Sequence, residues 1–169
     1  MADPKPNQNL DKKPFGAYHF TVQLDGTDVS YPFRSCSGLK IETSVVDLEE
    51  GGFNGTTRKL VGRTKFPNIV LKRGFCSGNS ELYALKLQAM NDLPSSEAPK
   101  AGWRTPHRVS GVITQLGPRG SETKWSFSRG IVCKWEGPDL DATKNEVSIE
   151  SIEIAHEGLM LMSSKEESK

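Results

Sequence analysis

The sequence has little of several features that would place it in a broad class of protein. Its 169 residues carry 22 basic and 21 acidic side chains, a formal net charge of +1, with no sustained basic stretch. Nucleic-acid binding through phosphates needs a concentrated basic surface, so this charge distribution gives that function no support. No apolar run approaches the roughly 20 residues that a membrane-spanning helix requires, and the N-terminal residues lack the apolar stretch of a secretory signal. We therefore expect a protein made in the cytoplasm, without a membrane-spanning segment.

Cysteine is scarce, and its spacing suggests no chemistry. Cys36, Cys76 and Cys133 are odd in number and widely separated, whereas disulfide frameworks belong mainly to small secreted domains. None has the CxxC spacing or the nearby histidine of an activated thiolate. The sequence predicts three reduced cysteines, buried as small apolar residues in or beside strands.

Motifs for catalysis and cofactor binding are also missing. His19, His107 and His156 lie far apart, without HExxH or a second ligand at metal spacing, so no metal site is predicted. There is no GxSxG nucleophile elbow and neither of the phosphate-binding patterns GxxxxGK[ST] and GxGxxG. The adjacent Glu49 and Glu50 are typical of a solvated turn or an intermolecular charge contact rather than an acid–base pair. We predict no catalytic residue, no metal and no cofactor, and we do not expect an enzyme.

What the sequence does contain is a series of short segments in which apolar and polar residues alternate, as in half-buried β-strands. These segments cover residues 18–24, 29–33, 39–45, 68–75, 108–116, 124–135 and 146–161. The alternation shifts near Gly130 and Ser151, which predicts a bulge or bend at each. About seven strands and one helix predict a mainly β fold, an antiparallel β-barrel or sandwich with one flanking α-helix.

One segment after residue 78 has the pattern of a helix. Asn79 or Ser80 can cap it. Leu82, Leu85 and Ala89 then fall on one apolar stripe at helical spacing.

The stretch from Glu49 to Thr64 interrupts the regular pattern. Four glycines and mixed charges leave it without periodicity, which predicts a long loop or a flexible hairpin. Long connections in compact domains are usually functional or mobile. This stretch is therefore the first place to expect a surface for a partner.

Four longer segments occur in an informative order. FGAYHFTVQLDG, FRSCSGLKIETSVVDLEEGG and TTRKLVGRTKFPNIVLKRGF follow one another, and IVCKWEGPDLDATKNEVSIESIEIAHEGLML comes later. The first three resemble the opening, and the last resembles the closing strands, of the tail tube family of contractile phages and phage-derived injection systems. That family is related to the tubes of type VI secretion systems. The resemblance runs from about Phe15 to Met162.

The resemblance implies a structural protein whose copies form hexameric rings that stack into a hollow tube. A contractile sheath encloses the tube and drives it through the target envelope, and the lumen is able to carry protein cargo or DNA. The implied partners are further copies of the chain, the sheath protein, and the baseplate or tube-initiator and tail-terminator proteins. The implied location is the cytoplasm during assembly and then a phage tail or a phage-tail-like particle.

The resemblance also assigns a role to the glycine-rich stretch. Family members use a long hairpin at this place to reach neighbouring subunits and the next ring, so we predict an assembly arm whose charges pair across a subunit boundary. The residues assigned to subunit and ring assembly are Glu49, Glu50, Gly51, Gly52, Asn54, Arg58, Lys59, Arg63 and Lys65. On either side of a tube domain at 15–162, residues 1–14 and 163–169 are polar and aperiodic and predict flexible tails.

Two other functions stay open. A tube-initiator or baseplate paralogue of the same machinery would share the fold. A monomeric barrel could instead bind single-stranded nucleic acid or an oligosaccharide, and Trp103, Trp125 and Trp135 would stack on bases if they shared a face with cations. Trp125 and Trp135 lie in alternating segments, where core packing is the expected role.

Overall fold

The computed structural model describes residues 16–24, 30–48, 56–76, 80–90, 107–117 and 120–163. Within these ranges the chain is mainly β, with antiparallel sheets and one helix, as the sequence predicts. The elements are β1 (Phe20–Leu24), β2 (Ser30–Tyr31), β3 (Ser35–Ser37), β4 (Glu42–Leu48), β5 (Arg58–Lys65), β6 (Ile69–Gly74), α1 (Glu81–Met90), β7 (Val109–Leu116), β8 (Glu122–Glu136), β9 (Ile149–Ala155) and β10 (Gly158–Ser163).

The long strand β8 joins the two halves of the main eight-stranded sheet. Its first part pairs with β7 on one side and β10 on the other, and its last part pairs with β9. The strand order is β2-β1-β7-β8-β9-β6-β3, and every pairing is antiparallel. A strand that passes from one half to the other needs a local bend or bulge at the corner. Strand β8 therefore sets the overall shape of the fold.

The corner in β8 lies at Arg129 and Gly130. Arg129 has a φ of 54°, and the pairing with β7 shifts register between Val109 and Gly111. A Cβ on Gly130 would lie 2.7 Å from the Val109 carbonyl oxygen and 2.8 Å from Cγ2 of Ile154. The bend predicted at Gly130 is confirmed. Arg129, and not Gly130, has the left-handed backbone conformation. Gly130 is required because there is no space for a side chain at that position.

Within the described ranges, one hydrophobic core is formed mainly by side chains of the main sheet and of helix α1. It is formed by Val22, Leu24, Phe33, Ile69, Leu71, Leu82, Val109, Ile113, Phe127, Val132, Ile152 and Ile154. Trp125 and Trp135 are half-buried and pack against this cluster. Close packing of this kind is the role that the sequence favoured for both tryptophans.

Helix α1 covers one side of β8, and its predicted apolar stripe is confirmed. Leu82 is buried, and Leu85 and Ala89 pack against the core. Lys86 Nζ donates hydrogen bonds to the carbonyl oxygens of Val132 and Cys133 at 3.2 and 3.1 Å. These bonds supply partners for backbone groups beside an irregularity in β8.

That irregularity is a second bulge, and it contradicts one prediction. Val132 pairs with Ile154 and Lys134 pairs with Glu153, so Cys133 is the extra residue. Ser151 pairs regularly, so the bulge predicted there is wrong. Strand β9 is buried over much of both faces, and it is paired on both sides, with β6 and with β8. Its apolar residues therefore need no change of face.

The cysteines match the prediction only in part. All three are free thiols, and Cys36 is partly buried, but Cys76 and Cys133 are exposed. Cys133 is exposed because the bulge turns it out of the strand pattern. The predicted burial is wrong for these two residues.

A buried ion pair links β6, β9 and the helix. Arg73 Nε donates to Glu150 Oε1 at 2.6 Å, and the two residues are 4% and 1% exposed. The indole Nε1 of Trp135 donates to the other carboxylate oxygen of Glu150 at 3.2 Å. Arg73 Nη1 also lies 4.0 Å from Oε2 of Glu81 in the first turn of α1. Arg73 thus connects β6 to β9 through Glu150 and to helix α1 through Glu81.

The predicted tail at 1–14 lies outside the described residues, and of the predicted tail at 163–169 only Ser163 is described, at the end of β10. The single helix in the described ranges does not have the length and apolar character needed to span a membrane.

Candidate assembly surface

Strands β4 and β5 form a hairpin that is separate from the main sheet. The pairing runs from Glu42 opposite Lys65 to Leu48 opposite Arg58. The sequence predicts either a long loop or a flexible hairpin in this part of the chain, and the pairing of β4 with β5 confirms a hairpin. The strand predicted at 39–45 starts too early, because β4 begins only at Glu42 and continues to Leu48.

The hairpin leaves the main sheet through a strained turn. Gly38 has a φ of 92°, and a Cβ there would overlap the Asn68 carbonyl oxygen, so only glycine fits. On the return path, the imidazole of His156 lies between the carbonyl oxygens of Pro67 and Gly158, at 3.1 and 3.0 Å. The base of the hairpin is thus fixed to the main sheet on both sides.

A bulge lies within the hairpin itself. Register shifts between Thr43 and Val45, so that Gly62 and Arg63 oppose the single residue Ser44. A Cβ on Gly62 would overlap the Ser44 side chain. Ser44 Oγ donates to the Arg63 carbonyl oxygen at 3.2 Å. This glycine therefore serves close packing within a strand, rather than a loop.

Both faces of the hairpin expose apolar side chains. Val45 and Val61 lie opposite each other and are 61% and 86% exposed. Val46 and Leu60 are also paired, on the other face, and are 54% and 44% exposed. A two-stranded hairpin is at best marginally stable alone in water, and apolar residues on both faces add a cost of hydration. Such a hairpin is stabilised when other surfaces cover both faces.

The predicted assembly residues fall into two groups. Glu49, Glu50, Gly51, Gly52 and Asn54 lie outside the described residues. Arg58, Lys59, Arg63 and Lys65 all lie on β5 and are exposed. The structure therefore brings the four predicted cations onto one strand.

These four cations do not have equal surroundings. Lys59 Nζ lies 2.5 Å from Oδ1 of Asp47, its cross-strand partner. Arg58 also has a partner. Within the described ranges, Arg63 and Lys65 have no ion-pair partner. Of the four cations, these are the two for which no described carboxylate lies at ion-pair distance.

The apolar pairs of the hairpin were missed in the sequence. Their signal was present, because Val45, Val46, Leu60 and Val61 form two adjacent apolar pairs in segments rich in β-forming residues. The nearby glycines and charges obscured it. The exposed valines, rather than the glycines, are what distinguish this surface.

Other candidate sites offer little chemistry. A cleft of about 330 Å³ lies at one end of the core, lined in part by Phe20, Cys36, Ile113 and Trp125. Burial raises the pKa of the Cys36 thiol to about 11, so the thiol is protonated at neutral pH. Within the described ranges, no group of three or more His, Cys, Asp or Glu side chains could hold a metal ion.

Comparison with known families decides what this fold is. The family model for the T4-like virus tail tube protein gp19 matches residues 16–160, which include the whole hairpin. The chain belongs to this tail tube family. The resemblance found in the sequence is therefore confirmed.

Solved structures share the fold of this tail tube family member. A chain of the PVC sheath–tube complex, an extracellular contractile injection system in the extended state, is 22% identical, with 90% of this chain and 94% of that chain covered and a TM-score of 0.72. A chain of the tube-terminating cap of the anti-feeding prophage (AFP) is 23% identical, with 97% and 100% covered and a TM-score of 0.74. A chain of the AFP baseplate is 21% identical, with 90% and 98% covered and a TM-score of 0.74. No curated protein matches the sequence.

Proposed function

We propose that this tail tube protein is the structural protomer of the inner tube of a contractile phage tail or injection system. Six copies form a ring, and rings stack into a hollow tube enclosed by a contractile sheath. Contraction of the sheath drives the tube through the target envelope, and the lumen carries protein cargo or DNA. The protein acts by assembly and force transmission, not as an enzyme.

The observation that carries this proposal is the hairpin of β4 and β5. Fully burying one valine or leucine side chain contributes about 1.5–3 kcal/mol. The hairpin exposes Val45, Val46, Leu48, Leu60 and Val61, and Ile41 just before β4 is also exposed. Closed symmetry lets each copy bury the same surface against a neighbour, so a modest contact is repeated throughout the ring and the stack.

The partners proposed for the tube follow from the comparison with solved structures. The similar structures come from a sheath–tube complex, a tube-terminating cap and a baseplate. We extend these to this chain as a sheath protein, a terminator and a baseplate or initiator protein. Assembly in the cytoplasm, followed by incorporation into a phage tail or phage-tail-like particle, completes the proposal. The tube domain would be 15–162, with tails at 1–14 and 163–169.

Negative-stain microscopy with sedimentation velocity tests the proposal. Wild type and Val61→Ile, which keeps an apolar β-branched residue, should form rings or tubes. Val61→Lys should remain a folded protomer with the same far-UV circular dichroism, because a charge replaces the most exposed apolar side chain of the hairpin.

The outcome that counts against the proposal is a wild-type protein that stays monomeric over a broad concentration range. Single rings that do not extend would instead support the initiator or baseplate paralogue. A wild-type monomer that binds single-stranded nucleic acid or oligosaccharide would support the barrel binding module.

A further inference from the structure

A second exposed surface has the opposite charge to strand β5. Residues 137–148 connect β8 to β9, and we call them the acidic segment. Leu140 and Val147 in it are 86% and 74% exposed. Asp139 and Glu146 are also exposed, and within the described ranges neither has an ion-pair partner. The acidic segment thus presents apolar side chains beside two available carboxylates.

The chemistry of strand β5 is complementary to this segment. β5 contains no acidic residue. It exposes Val61 on one face and Leu60 on the other, and its exposed Arg63 and Lys65 have no ion-pair partner within the described ranges. Apolar contact with opposite charges at its rim is the usual composition of a specific protein interface. Strand β5 and the acidic segment both expose apolar side chains, and their charges are opposite.

The topology places strand β5 and the acidic segment at opposite ends of the pair formed by β6 and β9. Strand β6 follows the hairpin and begins at Ile69, which pairs with Ile154. At the other end of the pair, Gly74 is opposite Ile149, where the acidic segment enters β9. Six paired residues span roughly 17 Å at the rise of a β-strand. The basic strand and the acidic segment therefore lie far apart on one copy, and a contact between them is geometrically suited to two copies.

We propose that strand β5 of one copy binds the acidic segment of the next copy. The occupant of each surface is thus a second copy of this chain, and the contact is head to tail. Contacts between two different patches produce a ring when the rotation closes and an open stack when it does not. This inference rests on the proposed tube function and names the surface that receives the hairpin.

Charge reversal tests the contact with two variants. The first, Arg63→Glu with Lys65→Glu, makes the hairpin acidic. The second, Asp139→Lys with Glu146→Lys, makes the acidic segment basic. Each places like charges together, so we expect each alone to raise the critical concentration for assembly by about tenfold or more.

Mixing the two variants supplies the decisive measurement. The acidic hairpin of the first then meets the basic segment of the second, and the remaining contact has its native charges. An equal mixture should assemble with a critical concentration within about threefold of wild type, and so should one chain carrying all four reversals. Recovery in the mixture would also show that both variants are folded. The charge-conserving control Arg63→Lys with Lys65→Arg should assemble as wild type does.

The outcomes separate this contact from the tube function. If wild type assembles and both reversal variants assemble equally well, the contact is wrong and the tube function stands. If each variant fails alone and the mixture and fourfold variant fail too, the hairpin meets another surface and the inference is also overturned. If wild type itself does not assemble, the tube function fails.

Discussion

The buried pair of Arg73 and Glu150 gives the sharpest prediction about stability. Replacing Glu150 by glutamine keeps the side-chain shape and one acceptor oxygen, but removes the negative charge that faces the Arg73 guanidinium at 2.6 Å. Breaking a buried ion pair from one side typically costs about 3–5 kcal/mol. Oε2 of Glu81 lies 4.0 Å from Arg73 Nη1 and offsets part of the loss. We therefore expect Glu150→Gln to lower the free energy of unfolding by about 3 kcal/mol, a large share of the roughly 5–15 kcal/mol of a typical domain.

Removing both charges should cost much less. Apolar replacement of a buried ion pair is often neutral, or stabilises by about 1–4 kcal/mol. In this protein the double change Arg73→Met with Glu150→Leu also deprives the Trp135 indole of its acceptor, which costs about 1–3 kcal/mol. The two effects nearly cancel, so the double variant should lie within about 1 kcal/mol of wild type.

Urea unfolding followed by far-UV circular dichroism measures both variants, at a concentration where sedimentation shows one species. Lys124→Met is the control, since it breaks an exposed pair of 3.0 Å with Glu122, worth about 0–1 kcal/mol. The reasoning is refuted if Glu150→Gln costs no more than this control.

Three further predictions concern single groups. Gly62→Ala should reduce the assembly seen by microscopy, because a Cβ at this position collides with Ser44 on the facing strand. The free energy of unfolding should change by less than about 1 kcal/mol, since the hydrophobic core contains no side chain of β4 or β5. Alkylation at about pH 8, mapped by mass spectrometry, should modify the exposed Cys133 and spare Cys36, because burial raises the pKa of the Cys36 thiol to about 11. Equal alkylation rates at the two cysteines would contradict this reasoning. Hydrogen bonds from Thr143 lower the pKa of Asp141 below its ordinary 3.8, so its contribution to stability is present above pH 3.8 and is lost as the pH falls through the lower folded value. In an NMR titration, Thr143→Val should raise the Asp141 midpoint, and an unchanged midpoint would exclude the hydroxyl as a cause.

Local patterns in the sequence predicted the elements that depend on local forces. Helix α1 was identified from its cap and from the stripe at Leu82, Leu85 and Ala89, because both features act within a few residues along the chain. Most strand segments were identified because alternation follows directly from strand geometry. The segment 146–161, predicted as one strand, forms the two strands β9 and β10, and β3 was missed. The family was recognisable from the order of its segments, and the family model confirms it.

Tertiary structure alone decided the features that depend on register. The bulge at Cys133 is set by how β8 pairs with β9, and no local property of Cys133 or Ser151 specifies it. The ion pair of Arg73 and Glu150 joins residues 77 positions apart, whose individual sequence contexts show two ordinary charges. Burial and pairing arise only when the strands align.

The hairpin shows the same division. Its glycines and charges are visible in the sequence and marked the segment as unusual. Only the pairing of β4 with β5 shows that Val45 and Val61 face each other and that Lys59 is engaged by Asp47. Among the described residues, no carboxylate pairs with Arg63 or Lys65. The sequence determined the composition of this surface, whereas cross-strand register, a non-local property, decided which of its side chains face each other and which are exposed.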